Sequence, residues 1–244
     1  MYDIGIIGGM GPAATAEIFK RIVDYTLAQK DQDHIKICIL NDPTIPDRTE
    51  HIINNLESPL KGILNNIQIA EIIKCKYFII PCNTAHYFYK EYENIKNIQF
   101  INMVEETCKY VAYKYPKKDI CILATLGTVK ADIYKKIGYK YGNIFYPSKK
   151  INKNIMSIIK QIKAGEINLK ELTDRMLKDL KKEIDFDKTV FVLACTELSL
   201  LLPYITGDFV DAMDVLVGVV IKKCNKSLNS KKFKLYNKYF ENYR

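Results

Sequence analysis

The chain has 244 residues, 48% apolar and 27% charged, with a formal net charge of +9. That is enough globular sequence for one or two domains with a core that needs no disulfide support. Seven cysteines without a Cys-x-x-Cys pair, three histidines, and no apolar run of about 18 residues argue against a disulfide framework, a zinc site and a membrane span.

The first residues, MYDIGIIGGMG, lack a basic leader region and turn glycine-rich too early for a signal peptide. A soluble protein of a reducing, cytoplasmic compartment is expected. The apolar run at 3–8 predicts a strand, and Ala14, Ile18, Ile22 and Tyr25 predict a helix over 12–28. Strands follow at 35–40 and 77–80, separated by a helix over 59–74, with a weaker strand at 100–102 and a helix from about 104. The segment NDPTIPDRTEHI (41–52), with two prolines, is expected to be a loop. A second series starts with a strand at 119–124 and continues with helices near 129–138, 152–163 and 168–182 and a strand at 188–194. Residues 208–223 read as a short strand and a helix. Non-alternating apolar strands separated by helices predict parallel sheets covered on both faces.

Two landmarks repeat. IGIIGGMG begins at 4 and ICILATLG at 120. FIIPC ends at Cys82 and FVLAC at Cys195, each after an apolar strand and before polar residues that open a helix. The spacing predicts an α/β protein of two pseudo-symmetric lobes with the site in the cleft between them. Residues 1–99 plus 208–244 would form the first lobe, with the last helix packing back on it, and 100–207 the second. Open α/β sheets bind ligands at the carboxyl ends of their strands, so Cys82 and Cys195 would face one another there.

Most of the seven cysteines read as small core hydrophobes. The matched pair invites a different reading. A thiol at a helix N-terminus has a lowered pKa, and one thiolate and one thiol on opposite sides of a carbon would form a two-base racemisation site. Asn83, Thr84, Thr196, Thr125 and Thr128 are candidate donors for charge developing on the substrate, although each threonine would equally serve as a helix cap. Arg48 in the 41–52 loop and Lys163 at a helix end are candidate carboxylate partners. Arg48 would otherwise be a surface charge, and Lys163 a partner for the helix dipole. His86 would either tune the Cys82 thiol or pack on its helix. Gly9-Met10-Gly11-Pro12-Ala13-Ala14 satisfies a loose dinucleotide fingerprint, but no acidic residue follows at the required spacing, which leaves a nicotinamide enzyme a distant alternative.

Together, IGIIGGMGPAATAEIF, NDPTIPDRT, PCNTAH, LATLGT, IKAGE and ACTEL resemble the aspartate/glutamate racemase superfamily. They follow its order up to about residue 223, and they are most similar to its aspartate racemase branch. The resemblance implies a racemase that uses no cofactor or metal, with Cys82 and Cys195 as the catalytic pair and a homodimeric assembly. It also implies that Arg48 and Lys163 hold substrate carboxylates and that Met10, Asn83, Thr84 and Ala85 line the site. Glutamate racemases carry Asp-Ser-Gly in place of Gly9-Met10-Gly11, and Cys-Thr-His in place of Cys195-Thr196-Glu197. Glu197, like His86, is a possible tuning residue. The broad-specificity branch generally lacks the PDRT arginine, so Arg48 favours an acidic substrate. Ala194 departs from the family's glycine. The alternatives are a racemase for glutamate or several amino acids, and an amino-acid-binding homologue without catalysis.

Residues 222–244 hold eight Lys/Arg and one Glu, most of the net charge. The expectation is a solvated, partly ordered extension, with nucleic acid an unlikely partner.

Overall fold

Runs of isoleucine, valine and leucine without polar alternation build two parallel sheets in a computed structural model that describes residues 1–165, 168–235 and 237–243. The first half runs β1 (Tyr2–Gly8), α1 (Pro12–Tyr25), β2 (Ile37–Asn41), α2 (Arg48–Asn54), α3 (Leu60–Ile72), β3 (Cys75–Ile79), α4 (Tyr89–Glu93), β4 (Gln99–Phe100) and α5 (Met103–Lys114). The second runs β5 (Asp119–Ala124), α6 (Leu126–Lys130), α7 (Ile133–Gly138), β6 (Ile144–Phe145), α8 (Lys149–Lys163), α9 (Leu169–Leu180), β7 (Thr189–Ala194), β8 (Phe209–Asp211), α10 (Ala212–Lys223) and α11 (Lys238–Glu241). Glu166 of the IKAGE stretch, and Tyr236 and Arg244 of the basic tail, lie outside the described residues.

The strand orders are β2-β1-β3-β4 and β6-β5-β7-β8. These are the same arrangement twice, which places the ends of β3 and β7, and thus Cys82 and Cys195, at equivalent points. One core fills the space between the sheets. It takes inward residues of β1 and β3, inward residues of β5 and β7, and the helices α1, α5 and α10. Two further clusters cover the outer faces, beneath α3 on the first sheet and beneath α8 and α9 on the second. Ala212 to Ile221 of α10 are all buried, so this helix carries no polar stripe and packs against α1, α5, β7 and β8.

Three expectations need correction. The second lobe does not end at 207: Phe191 pairs with Phe209 and Leu193 with Asp211, so residues 209–211 complete the second sheet. The 41–52 segment is not all loop. Asp47 caps α2 by accepting the Glu50 N–H at 2.9 Å, and its Asp-x-x-Glu spacing is a helix-start pattern. The tail is not a solvated extension. Leu228, Phe233 and Phe240 are buried, with the Phe233 ring tilted against Tyr25 at 5.3 Å and Phe240 stacked on Tyr110 at 5.4 Å. The basic composition hides three well-spaced apolar anchors. Gly218 of α10 leaves the room these two rings fill.

Candidate functional site

The chain turns at the carboxyl ends of β1, β3, β5 and β7 converge on one cleft. It is lined by Met10, Asp47, Arg48, Thr49, Cys82, Asn83, Thr84, Thr125, Lys163, Ala194, Cys195, Thr196 and Glu197. Both cysteines are there. The cavity is about 30 Å³, roughly room for one or two waters.

The glycine turn after β1 sets one wall. Gly9 has φ of 92°, and a Cβ there would overlap the backbone of Asp42 at the end of β2. The Gly9 N–H donates to Thr15 Oγ1 at 2.9 Å. A Cβ on Gly8 would overlap the Thr15 side chain, so both glycines serve close packing.

Arg48 is buried, although arginines in such positions are usually exposed. Its Nη1 donates to the carbonyls of Pro46 (3.1 Å) and Ile45 (3.4 Å), and its Nη2 to that of Met10 (3.0 Å). Among the described residues its Nε has no partner. A buried unpaired donor is costly, and at the wall of a cleft it is a place for an acceptor. The Asn83 Nδ2 is likewise buried and unpaired, while Tyr134 from α7 donates its hydroxyl to Asn83 Oδ1 at 2.6 Å. Tyr134 was not foreseen as a site residue, because it reaches across from the other lobe and nothing in its local sequence marks it. Asp47 and Thr49 were legible only through the missed helix start.

Thr84 of the first lobe meets Thr125 (2.9 Å) and Thr128 (3.1 Å) of the second in a triangle of hydroxyls. Thr125 also caps α6 by accepting the Thr128 N–H. Thr128 is fully buried behind the cleft and Ala85 packs in the core of the first sheet, so neither lines the cavity.

The helices after the cysteines are 3-10 segments, Thr84–Phe88 and Leu198–Tyr204, with little of an α-helix's dipole. The expected lowering of the thiol pKa is reversed at Cys195. Burial pushes its pKa well up, and the Glu197 carboxylate adds to this. Cys195 Sγ donates to Glu197 Oε2 at 2.9 Å, Thr196 Oγ1 donates to the same oxygen at 3.1 Å, and Lys163 Nζ lies 3.5 Å from Glu197 Oε1. Partial burial works against the charge on Lys163, but Glu197 and the two thiols outweigh it and raise its pKa above the ordinary lysine value.

His86 is fully buried and does not reach the thiol. Its Nε2 accepts the Met103 N–H at 3.2 Å, which leaves Nδ1 to donate to the Cys82 carbonyl at 2.9 Å. It holds the backbone that carries Cys82. Burial lowers its pKa to about 4. Because the neutral form is favoured in the folded state, this stability is fully present above about pH 6.5 and is lost as the pH falls towards 4. Relative to a His86→Asn variant, the wild type is expected to lose about 3 kcal/mol across that window. Urea denaturation at stepped pH measures it, and a constant difference between the two proteins would contradict the assignment.

Residues 7–220 match the Asp/Glu/hydantoin racemase family. The broad specificity amino-acid racemase RacX of Bacillus subtilis (strain 168) is 28% identical over 209 residues, 84% of this chain and 89% of that protein. The Picrophilus torridus aspartate racemase structure is similar at a TM-score of 0.82 and 32% identity, covering 96% of this chain and 98% of that one. An aspartate racemase homologue from Pyrococcus horikoshii OT3 shares the fold at a TM-score of 0.72 and 19% identity, covering 92% and 100%.

Proposed function

The chain belongs to the Asp/Glu/hydantoin racemase family, and from that premise we propose that it interconverts L- and D-aspartate without a cofactor, using Cys82 and Cys195 as its two bases. The observation that carries the reading is the pairing of these thiols in one cleft, beside a buried Arg48 whose Nε is unpaired. One cysteine, as thiolate, removes the α-proton from one face. The other, as thiol, gives a proton to the opposite face. Repeating the cycle in reverse needs only that the two exchange protonation states.

The α-carbon of an amino acid is a far weaker acid than a thiol, so negative charge that develops on the substrate must meet fixed donors. The Asn83 amide, held from behind by Tyr134, is placed for this, and the ammonium of Lys163 supplies a compensating charge. Three main-chain carbonyls hold the guanidinium of Arg48, so binding a carboxylate through Nε and Nη2 requires little further ordering. The bidentate clamp therefore uses the side edge of the guanidinium, since Nη1 already faces the carbonyls of Ile45 and Pro46.

The relative with broad specificity supports a second reading, a racemase for several amino acids. Incubating the protein with a panel of L-amino acids in deuterium oxide, followed by chiral separation and mass measurement, tests both. Aspartate is expected to racemise fastest and to gain one deuterium. Arg48→Ala is expected to lower kcat/KM for aspartate about 100-fold or more, the loss of a charge-assisted pair worth roughly 3 kcal/mol, with a much smaller effect on alanine. Equal losses on both substrates would favour broad specificity, and no deuterium uptake from any substrate would refute racemisation.

A further inference from the structure

The two thiols lie in unlike surroundings. Cys195 donates to the Glu197 carboxylate, which is also hydrogen-bonded by Thr196 and faces Lys163. At Cys82, among the described residues, no carboxylate hydrogen-bonds the sulfur, and its local contacts are made by the backbone, with the carbonyl accepting from His86 and from the Ala85 N–H. An ionised carboxylate only accepts hydrogen bonds, so a sulfur 2.9 Å from it carries the proton. A carboxyl group is a much stronger acid than a thiol, and Lys163 Nζ faces the other carboxylate oxygen at 3.5 Å. The proton between the two atoms therefore rests on sulfur.

We propose that Glu197 is a positioning residue that stores the transferable proton on Cys195 in the substrate-free protein, so that of the two thiols Cys195 is the one kept from ionising. This rests on the racemase reading. A two-base racemase has two free forms, each competent for one enantiomer, and Glu197 makes one of them dominant. The enantiomer served by the minor form binds with its affinity reduced by that form's population. At an equilibrium constant of one, kcat/KM must be the same in both directions, so the bias shows as unequal KM values matched by equally unequal kcat values.

The test labels the full-length protein with iodoacetamide at neutral pH and follows each cysteine peptide by mass spectrometry. A thiolate displaces iodide and forms a carbon–sulfur bond, so the labelling rate reports the thiolate fraction. In the wild type Cys82 is expected to react first. Labelling of Cys195 first would overturn the proposal without any variant. Glu197→Gln keeps the shape of the side chain and removes its charge, so Cys195 is expected to react at least about tenfold faster, while Glu197→Asp restores slow labelling. Unchanged Cys195 reactivity in Glu197→Gln, shown folded by its circular dichroism and Tm, would overturn the assignment. In the same variant the kcat and KM values for the two enantiomers are expected to converge. A shift in labelling in a protein that racemises no amino acid would leave the proton placement standing and refute the proposed function alone.

Discussion

Replacing either Cys82 or Cys195 by serine is expected to slow racemisation of aspartate by about 10³- to 10⁴-fold, at the upper end of what a positioned acid or base contributes. The substitution nearly conserves volume, so the cleft keeps its shape, but an alcohol is a far poorer proton donor and acceptor than a thiol at neutral pH. The two variants should fail differently. With Cys195→Ser, the Cys82 thiolate still removes the α-proton from one face and returns a solvent-derived proton to that same face. In deuterium oxide one enantiomer then gains deuterium without inverting. With Cys82→Ser the other enantiomer does so, and more slowly, because Cys195 must first lose the proton that Glu197 holds there. Chiral chromatography with mass detection separates exchange from inversion. Retention of full racemisation in either variant, or exchange of the same enantiomer in both, would refute the two-base assignment.

Much of this arrangement was legible in the sequence for a physical reason. A parallel sheet buried on both faces demands unbroken apolar runs, so the strands and their repeat stood out, and the ends of β3 and β7 fixed Cys82 and Cys195 at matched points. What could not be read depends on contacts distant in sequence. Tyr134 reaches Asn83 across the lobes, and no local pattern announces a tyrosine whose partner lies 51 residues away. Thr128 and Ala85 belong to motifs that line the cleft, yet each sits in a helical segment whose successive side chains face different sides, and both are buried away from the cavity. The expectation of a lowered Cys195 pKa used the helix that follows and ignored Glu197, whose carboxylate folds back on the thiol two residues before it. The tail misled by composition. Its lysines dominate any average, whereas its position is set by Leu228, Phe233 and Phe240.

Arg21→Met is expected to destabilise the protein by about 3–5 kcal/mol, the usual result of removing one partner from a buried ion cluster. Arg21 projects from α1, a helix of the first lobe, into the start of α10. Its Nη1 lies 2.6 Å from Asp211 Oδ2 and 2.7 Å from Asp214 Oδ1, and its Nε pairs with Glu17 at 2.7 Å. Asp211 has further duties, capping α10 through the Met213 N–H and accepting the Ser199 hydroxyl, both at 2.9 Å. Methionine fills much of the arginine's volume, so the loss reports the charge and not a cavity. Its pH dependence identifies the cause. Burial, together with repulsion from Asp211, raises the Asp214 pKa to about 7 even with Arg21 present. A carboxyl group whose folded pKa is raised contributes its stability at low pH and loses it as the pH rises through that value. Without Arg21 the burden of two buried carboxylates grows as Asp214 ionises, so the penalty of the substitution should be larger at pH 8 than at pH 5. Urea denaturation at the two pH values measures it, and an equal penalty at both would mean that Arg21 contributes packing and not charge. A second change, Asp214→Asn in the Arg21→Met background, should recover part of the stability at pH 8 and little at pH 5, because at the lower pH Asp214 is already neutral. Since this cluster ties α1 of the first lobe to the strand and helix that complete the second sheet, the same variants also test whether the spacing of the cleft depends on it: weakened aspartate turnover at temperatures where the protein remains folded would place the clamp in the positioning of the two thiols.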